Sequence, residues 1–297
     1  MATAQRFGPT GIARGDAPNC IPGTPGKGQP EAAAPGLRRL TIVYLQVMAL
    51  HPLAAGFADV ASAYESGRPE YAPAIVGAIA AELSIPAGAT VLDLAAGTGK
   101  LTRALLAGGL DVVAVEPQAE LSEILAASVG AERIREGLAE AIPLADESVF
   151  AVTVADAFHW FDHEAALAEI RRVLRPGGGL AVLTTAPDWS GASWAHEVGT
   201  LMSELRPEHP GFDGPPWQDA VRAADGWAAP REIRLTASRP TVPEQFVDYI
   251  ASVSWVASLP QDERERTLAR VAAIVSAGEA PAELPVHTVI GLVTTIR

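Results

Sequence analysis

The sequence predicts an α/β protein built on a doubly wound parallel sheet, and three observations lead to that class. From residue 70 to about 186, short apolar runs of strand length alternate with segments of helical periodicity. One of the runs, "VLDLAAGTGK" (91–100), ends in a glycine turn that leads into a helix. After residue 186 the alternation gives way to longer helical stretches and two late strand candidates, an insertion of the kind that sits over the C-terminal ends of sheet strands.

The elements follow in order. "EYAPAIVGAIAAEL" puts Ile75, Ile79 and Leu83 on one helical face, and "IPAG" stops it. "ATVLDLA" is a compact apolar run suited to a strand covered on both faces. Residues 99–107 read as helix, 110–116 ("LDVVAVE") as a second strand, and 117–128 as another helix. A weak strand around "RIREG" precedes "SVFAVTVAD" (148–156), which is rich in β-branched residues. "DHEAALAEIRRVL" aligns Leu167, Ile170 and Leu174, with Asp162 as its N-cap. "RPGGG" breaks that helix before the strand "LAVLTT". Beyond it lie a helix near 192–205, the loop "RPEHPGFDGPPW", a strand at "REIRLTA", helices from Tyr249 to Ala277, and a closing strand "PVHTVIGLVTTI".

Charge and composition narrow the function classes. The net charge is −13, with five Lys/Arg against two Asp/Glu in residues 1–47 and 17 against 33 in residues 48–297, a balance of −16 there. So acidic a domain repels a phosphate backbone, which argues against nucleic acid as a partner. The one cysteine, Cys20, falls in the first segment, so the rest offers no disulfide and no cysteine-based metal site; we expect no metal. Residues 1–36 are rich in Gly and Pro without apolar periodicity and read as disordered. "LRRLTIVYLQVMAL" is too short to span a bilayer, so we expect no membrane association and a cytoplasmic protein. Met48 stands just ahead of the first domain-like segment, and residues 1–47 are expected to be a disordered or misannotated extension to a domain at 48–297.

Three ligands compete for the glycine turn. A Walker A loop needs GxxxxGK followed by Ser or Thr, but here Leu101 follows Lys100 and Leu94 stands five before Gly99. A dinucleotide fingerprint needs a small residue where Thr102 stands. The third reading uses the acids. Asp93 just before the turn repels a pyrophosphate but suits a cofactor with a cationic end, such as S-adenosylmethionine. Glu116, 23 residues on at the end of the next strand, is placed to accept both hydroxyls of a ribose. Against this stands the plainer possibility that Asp93 bonds its own loop and Glu116 is a solvated acid at a helix start.

With these pieces in place, the chain resembles the Rossmann-like (class I) S-adenosylmethionine-dependent methyltransferases, in the small-molecule branch that includes trans-aconitate methyltransferase-like proteins. The resemblance rests on "FADVASAYESGRPEY" (57–71), "VLDLAAGTGKLT" (91–102), "VVAVEP" (112–117), "EGLAEAIPLADESVFAVTVADAFHWFD" (136–162) and "LRPGGGLAVL", with further likeness in "SVSWVASLPQDER" and "LPVHTVIGLVTTIR". It implies a mostly parallel seven-stranded sheet with an antiparallel last strand and a helical substrate-side insertion, its core at about 57–185 and its substrate-side and C-terminal part at 186–297. It further implies that Asp93 and the backbone of Ala95, Ala96 and Gly97 line the methionine and ribose, and that Glu116, followed by Pro117, binds the ribose hydroxyls. Ala139 and Glu140 would edge the adenine, and Asp156 and Ala157 would lie beneath the methionine moiety. Tyr64 and Arg68 would cover the cofactor, Arg68 pairing with its carboxylate. Two positions depart from the family pattern. Ala95 replaces a glycine, so the loop is expected to run through ordinary φ/ψ there. Leu138 stands where relatives often carry Asp or Thr.

Methyl transfer from a sulfonium needs positioning and exclusion of water, and a base only where the acceptor must lose a proton. His159, in "FHWF" after the fourth strand, is the candidate base or orienting group, or else a polar loop residue before the next helix. Trp160 and Trp189 are candidate substrate walls. His196 and His209 have no metal-ligand spacing. The expected function is methylation of a small molecule, at oxygen in preference to nitrogen or carbon. The alternative is a cofactor-binding protein of this fold that transfers no methyl group, and an NAD-linked oxidoreductase is disfavoured by Asp93 and Thr102. The acceptor and the oligomeric state are not legible.

Overall fold

The computed structural model describes residues 50–190, 193–240, 242–277 and 283–296, all within one compact unit, Val43–Arg297. The expectations for residues 1–47, Cys20 included, lie outside the described residues; the other unit, Met1–Ile42, contains none of these.

The chain enters through a short turn, Pro52–Ala55, and helix α1 (Ala61–Gly67), then α2 (Pro73–Glu82). The alternating core follows: β1 (Thr90–Leu94), α3 (Lys100–Ala107), β2 (Asp111–Val115), α4 (Ala119–Val129), β3 (Ile134–Arg135), β4 (Val149–Ala155), α5 (His163–Val173) and β5 (Leu174–Pro187). The insertion contributes α6 (Ser193–Leu205) and α7 (Trp217–Ala223). After β6 (Arg231–Pro240) come α8 (Pro243–Ala251), α9 (Gln261–Ala277) and the closing strand β7 (Glu283–Thr294).

The seven strands lie in the order β3-β2-β1-β4-β5-β7-β6. β1 through β5 pair in parallel, and β7 runs antiparallel between β5 and β6. The expected mostly parallel sheet with an antiparallel last strand is therefore present. Its strand order reverses between β1 and β4, where neighbouring crossovers leave on opposite faces and a crevice opens at the strand C-termini.

Period-two alternation divides the strands between two cores. Val91 faces Ile75, Ile79, Leu101 and Leu105, whereas Leu92 and Leu94 face Leu167, Ile170 and Val173 of α5. The expected face of α2 holds, since Ile75, Ile79 and Leu83 are all buried. Asp162 caps α5, accepting from Glu164 N (3.1 Å) and Ala165 N (3.2 Å). A third core joins the insertion to the late helices through Trp194, Val198, Phe246, Ile250, Val256 and Val271, which fixes a helical layer over the crevice side of the chain. Among the described residues, no helix is long and apolar enough to cross a membrane.

Candidate active site

The site starts at β1. The Asp93 carboxylate is buried, with Oδ2 accepting from Thr102 Oγ1 (2.6 Å) and Oδ1 from Thr153 Oγ1 (3.2 Å). It thus pins β1 to helix α3 and to β4. Burial pushes its pKa up to about 6 against the pull of these hydroxyls. Both partners lie outside the turn, on α3 and β4, so Asp93 holds the turn from its two flanks.

The turn itself corrects one expectation. Ala95 does not run through ordinary φ/ψ but takes φ +56°. Left-handed alanine costs roughly 1–2 kcal/mol. It is held there because Ala96 N donates to Val115 O (3.1 Å) and Gly97 N to Glu116 Oε2 (2.8 Å). The two glycines of the turn do different work. Gly99 has φ +90°, and a side chain there would collide with Leu125 of α4, so it brings α3 and α4 together. Gly97 has φ +59°, and nothing lies within 4 Å of where its side chain would point. Open space thus adjoins the backbone at Gly97.

Glu116 closes this cradle. It is 2% exposed, and its Oε1 accepts from Gln118 N (3.0 Å) while Oε2 accepts from Gly97 N. Burial raises its pKa to about 7. An ionised carboxylate has about four acceptor positions, so two remain after these backbone bonds. Two vicinal ribose hydroxyls need two acceptors, and the free acceptor positions of Glu116 therefore fit the ribose of an adenosyl cofactor. Pro117 follows directly. Ala139 is buried in the core beside β2, and Glu140 is drawn to the start of α5, where its Oε1 accepts from Asp162 N (2.8 Å).

At the end of β4, Asp156 is again left-handed, with φ +52°. Its Oδ1 accepts from Thr185 N (2.8 Å) and its Oδ2 from the Tyr71 hydroxyl (3.2 Å), and burial raises its pKa. Ala157 then leads into the single turn Phe158–Trp160. His159 packs among aromatic rings, with ring centroids 4.3 Å from Trp160 and 5.3 Å from His209. Burial, reinforced by His209, His163, His51 and Arg68, lowers the His159 pKa to about 3, so its imidazole is neutral.

The N-terminal segment covers the crevice. Gln118 Nε2 donates to Ala54 O (3.2 Å), and Tyr64 meets Phe57 edge-on at 5.8 Å while Phe57 meets Trp160 at 6.2 Å. Tyr64 is half-buried near Arg68, Asp156 and Glu116, and desolvation pushes its hydroxyl pKa up to about 12. An ion-pair cluster ties this cover down. Lys100 Nζ lies 2.9 Å from Glu70 and 3.7 Å from Glu65, and Arg103 Nη2 lies 2.7 Å and 2.9 Å from the same two acids. The lysine of the glycine turn is thereby consumed by the cover rather than presented to a phosphate.

A cavity of about 150 Å³ lies between this cover and the ends of β4, β5 and β7. Tyr64, Arg68 and Asp156 line it, together with Tyr71, Thr185 and Tyr249. His159, Trp160 and Trp189 do not line it. Trp189 packs edge-on against Phe246 at 6.3 Å. Arg206 and Arg222 pair with Asp213 (2.6 Å) and Asp219 (2.7 Å) at the surface. No group of three metal-ligating side chains occurs among the described residues.

Comparison with known proteins bears on this geometry. Residues 92–182, from β1 to β5, match a family described as a methyltransferase domain. A methyltransferase of Mycobacterium tuberculosis, itself uncharacterized, is 38% identical over 216 residues, covering 72% of this chain and 83% of its own. A methyltransferase-like protein of Schizosaccharomyces pombe is 34% identical over 214 residues, covering 72% and 82%. The fold also matches a crystal structure described as a methyltransferase from an antibiotic biosynthesis pathway of Anabaena variabilis, with a TM-score of 0.54 at 24% identity over 78% of this chain and 99% of that one.

Proposed function

We propose a reaction from one premise: this chain belongs to the Rossmann-like S-adenosylmethionine-dependent methyltransferases. The reaction is transfer of a methyl group to a small-molecule acceptor, at oxygen in preference to nitrogen or carbon, by a domain spanning residues 48–297. The cofactor supplies an electrophilic methyl group on a sulfonium. Glu116, followed by Pro117, receives its ribose hydroxyls, the backbone from Ala95 to Gly97 lines the methionine and ribose, and Ala139 and Glu140 edge the adenine. Asp93 acts through the turn it fixes. Tyr64 covers the bound molecule and excludes water.

The cavity beside Asp156 supports the small-molecule reading, because its volume of about 150 Å³ suits a small acceptor. The balance of −16 over residues 48–297 likewise opposes a polyanionic acceptor. Oxygen is favoured because Asp156, a half-buried carboxylate of raised pKa, is suited to take the proton a hydroxyl loses on methylation. His159, neutral and outside the cavity wall, is left as a packing residue between the β4 loop and the insertion.

Calorimetric titration with S-adenosylmethionine and S-adenosylhomocysteine tests the cofactor assignment, with 1:1 binding expected for both. Methyl-labelled cofactor incubated with a panel of small alcohols, phenols, acids and amines then tests the acceptor class. Absence of binding to either cofactor form at millimolar concentration overturns the reading, and transfer confined to amines overturns the preference for oxygen.

A further inference from the structure

The cavity wall holds a cation, Arg68, that makes no ion pair with any described residue, Asp156 of the same wall acting on it only across a longer distance. Arg68 Nε donates to Ser252 Oγ (2.9 Å) and Nη2 to Ser252 O (3.2 Å), which fixes the guanidinium plane on the start of the segment after α8. Its central carbon lies 5.2 Å from the ring centroid of Tyr64 and 4.9 Å from that of Tyr249, so aromatic faces flank it. No carboxylate of the described residues lies within ion-pairing distance, and Nη1 has no hydrogen-bond partner among them. Lys100, the other cation in the wall, is neutralised by Glu65 and Glu70. A partly desolvated, unpaired guanidinium is costly unless an anion comes to it, and its planar fork matches a carboxylate.

The same cavity is also lined by Asp156. After its bonds from Thr185 N and the Tyr71 hydroxyl, the carboxylate keeps acceptor capacity for one more donor. Apolar surface from Ile75, Phe246 and Val286 completes the wall. A cavity of this volume holds a molecule of roughly benzene's size.

We propose that this cavity is the acceptor site and that it takes a small hydroxy acid, its carboxylate on Arg68 and its hydroxyl on Asp156. The inference rests on the methyltransferase reading and moves Arg68 from the cofactor, where family resemblance puts it, to the acceptor. In the reaction the hydroxyl oxygen forms a bond to the methyl carbon, and the electron pair of the broken carbon–sulfur bond stays on sulfur. The hydroxyl proton passes to the Asp156 carboxylate and from there to water.

The test uses the full chain saturated with S-adenosylhomocysteine and titrated with glycolate, lactate and 3-hydroxybutyrate and with the three matching amides, read by calorimetry. At least one acid is expected to bind, and at least tenfold more tightly than its neutral amide. Arg68→Met is expected to remove that preference while leaving the dissociation constant of S-adenosylhomocysteine within threefold of wild type, and Arg68→Lys to restore part of it. Asp156→Asn, which tolerates left-handed backbone, is expected to keep acid binding and lose methyl transfer to the bound acid by at least tenfold. Failure of every acid to bind to wild-type protein that does bind S-adenosylhomocysteine overturns the acceptor site and leaves the methyltransferase reading standing. A tenfold loss of S-adenosylhomocysteine affinity in Arg68→Met, with the acid preference intact, also overturns it by returning Arg68 to the cofactor. The comparison of acid with amide on wild-type protein needs no variant to fold.

Discussion

Replacing Glu116 with glutamine separates binding from stability in a way the structure makes calculable. Both carboxylate oxygens accept backbone N–H groups, from Gly97 and Gln118. In Glu116→Gln one of the two terminal atoms becomes an NH₂, and a donor then faces a donor, at a cost of roughly 1–3 kcal/mol for the unpaired group. The opposing term is the buried charge. Holding Glu116 ionised at pH 8 against a pKa raised from 4.5 to about 7 costs about 3 kcal/mol, which the substitution removes. The two nearly cancel, so the melting temperature of the free protein at pH 8 should move by no more than a few degrees. Ribose binding has no such compensation, because bonds to a charged acceptor contribute roughly 1.5–3 kcal/mol each. The variant should therefore bind S-adenosylhomocysteine about 10- to 100-fold more weakly, measured by calorimetry at pH 8. The wild-type protein adds an internal control. Since protonation of Glu116 competes with the cofactor hydroxyls, affinity should fall as pH drops through about 7, by about tenfold at pH 6, and this slope should vanish in the variant. An affinity within threefold of wild type, or an unchanged pH slope, refutes the assignment of Glu116 to the ribose.

The backbone and the cover give further expectations. Ala95→Gly should raise stability by about 1 kcal/mol in urea unfolding, because a left-handed alanine at φ +56° is relieved, although greater freedom of the unfolded chain reduces the gain. Gly99→Ala should destabilise by more than Gly97→Ala, since Leu125 blocks a side chain at residue 99 and nothing blocks one at 97; equal unfolding midpoints would contradict these packing roles. Asp93 has its pKa raised to about 6, so the native state holds a proton that the unfolded chain releases near 3.8. The stability this contributes is complete below about pH 4 and is lost as pH rises through about 6, a loss that Asp93→Asn should abolish in urea titrations across that range. Lys100→Met, which breaks the cluster with Glu65 and Glu70, should speed release of S-adenosylhomocysteine several-fold in stopped-flow measurements. High salt should have a smaller effect than the variant, because Lys100 is buried and its ion pairs are only weakly screened.

What could be read from the sequence divides along physical lines. The order of strands and helices was legible because the apolar runs have a strand's length and the helices a 3.6-residue period, as Ile75, Ile79 and Leu83 illustrate. The place of Glu116 at the end of β2 was legible from the apolar run that precedes it, whereas its burial was not. The conformation of Ala95 was not, since the bonds that hold it left-handed come from Val115 and Glu116, some twenty residues away. His159 looked functional from its neighbours in the chain, yet its surroundings are set by His209 of the insertion, a contact no local pattern encodes. The cavity wall draws on residues from Tyr64 to Thr288, and the pairing of Arg68 with Ser252 spans 184 positions. A signal for the cover did exist in Glu65, Glu70, Lys100 and Arg103, two acids five apart and two bases three apart, but the sequence does not say that they face each other.

The two left-handed residues, Ala95 and Asp156, follow the C-terminal ends of adjacent strands, on either side of the reversal in strand order. Because the chain folds sharply at both, the backbone restricts what may occupy these positions before any ligand does. Valine, isoleucine and threonine are barred from each by their branched Cβ, whereas glycine, asparagine and aspartate are admitted. Residue 156 is therefore open to the very side chains that can accept a hydrogen bond, and residue 95 to those small enough to let a ligand approach the main chain. Divergence toward new acceptors is accordingly channelled away from these two positions and into the walls contributed by the insertion and the last two strands.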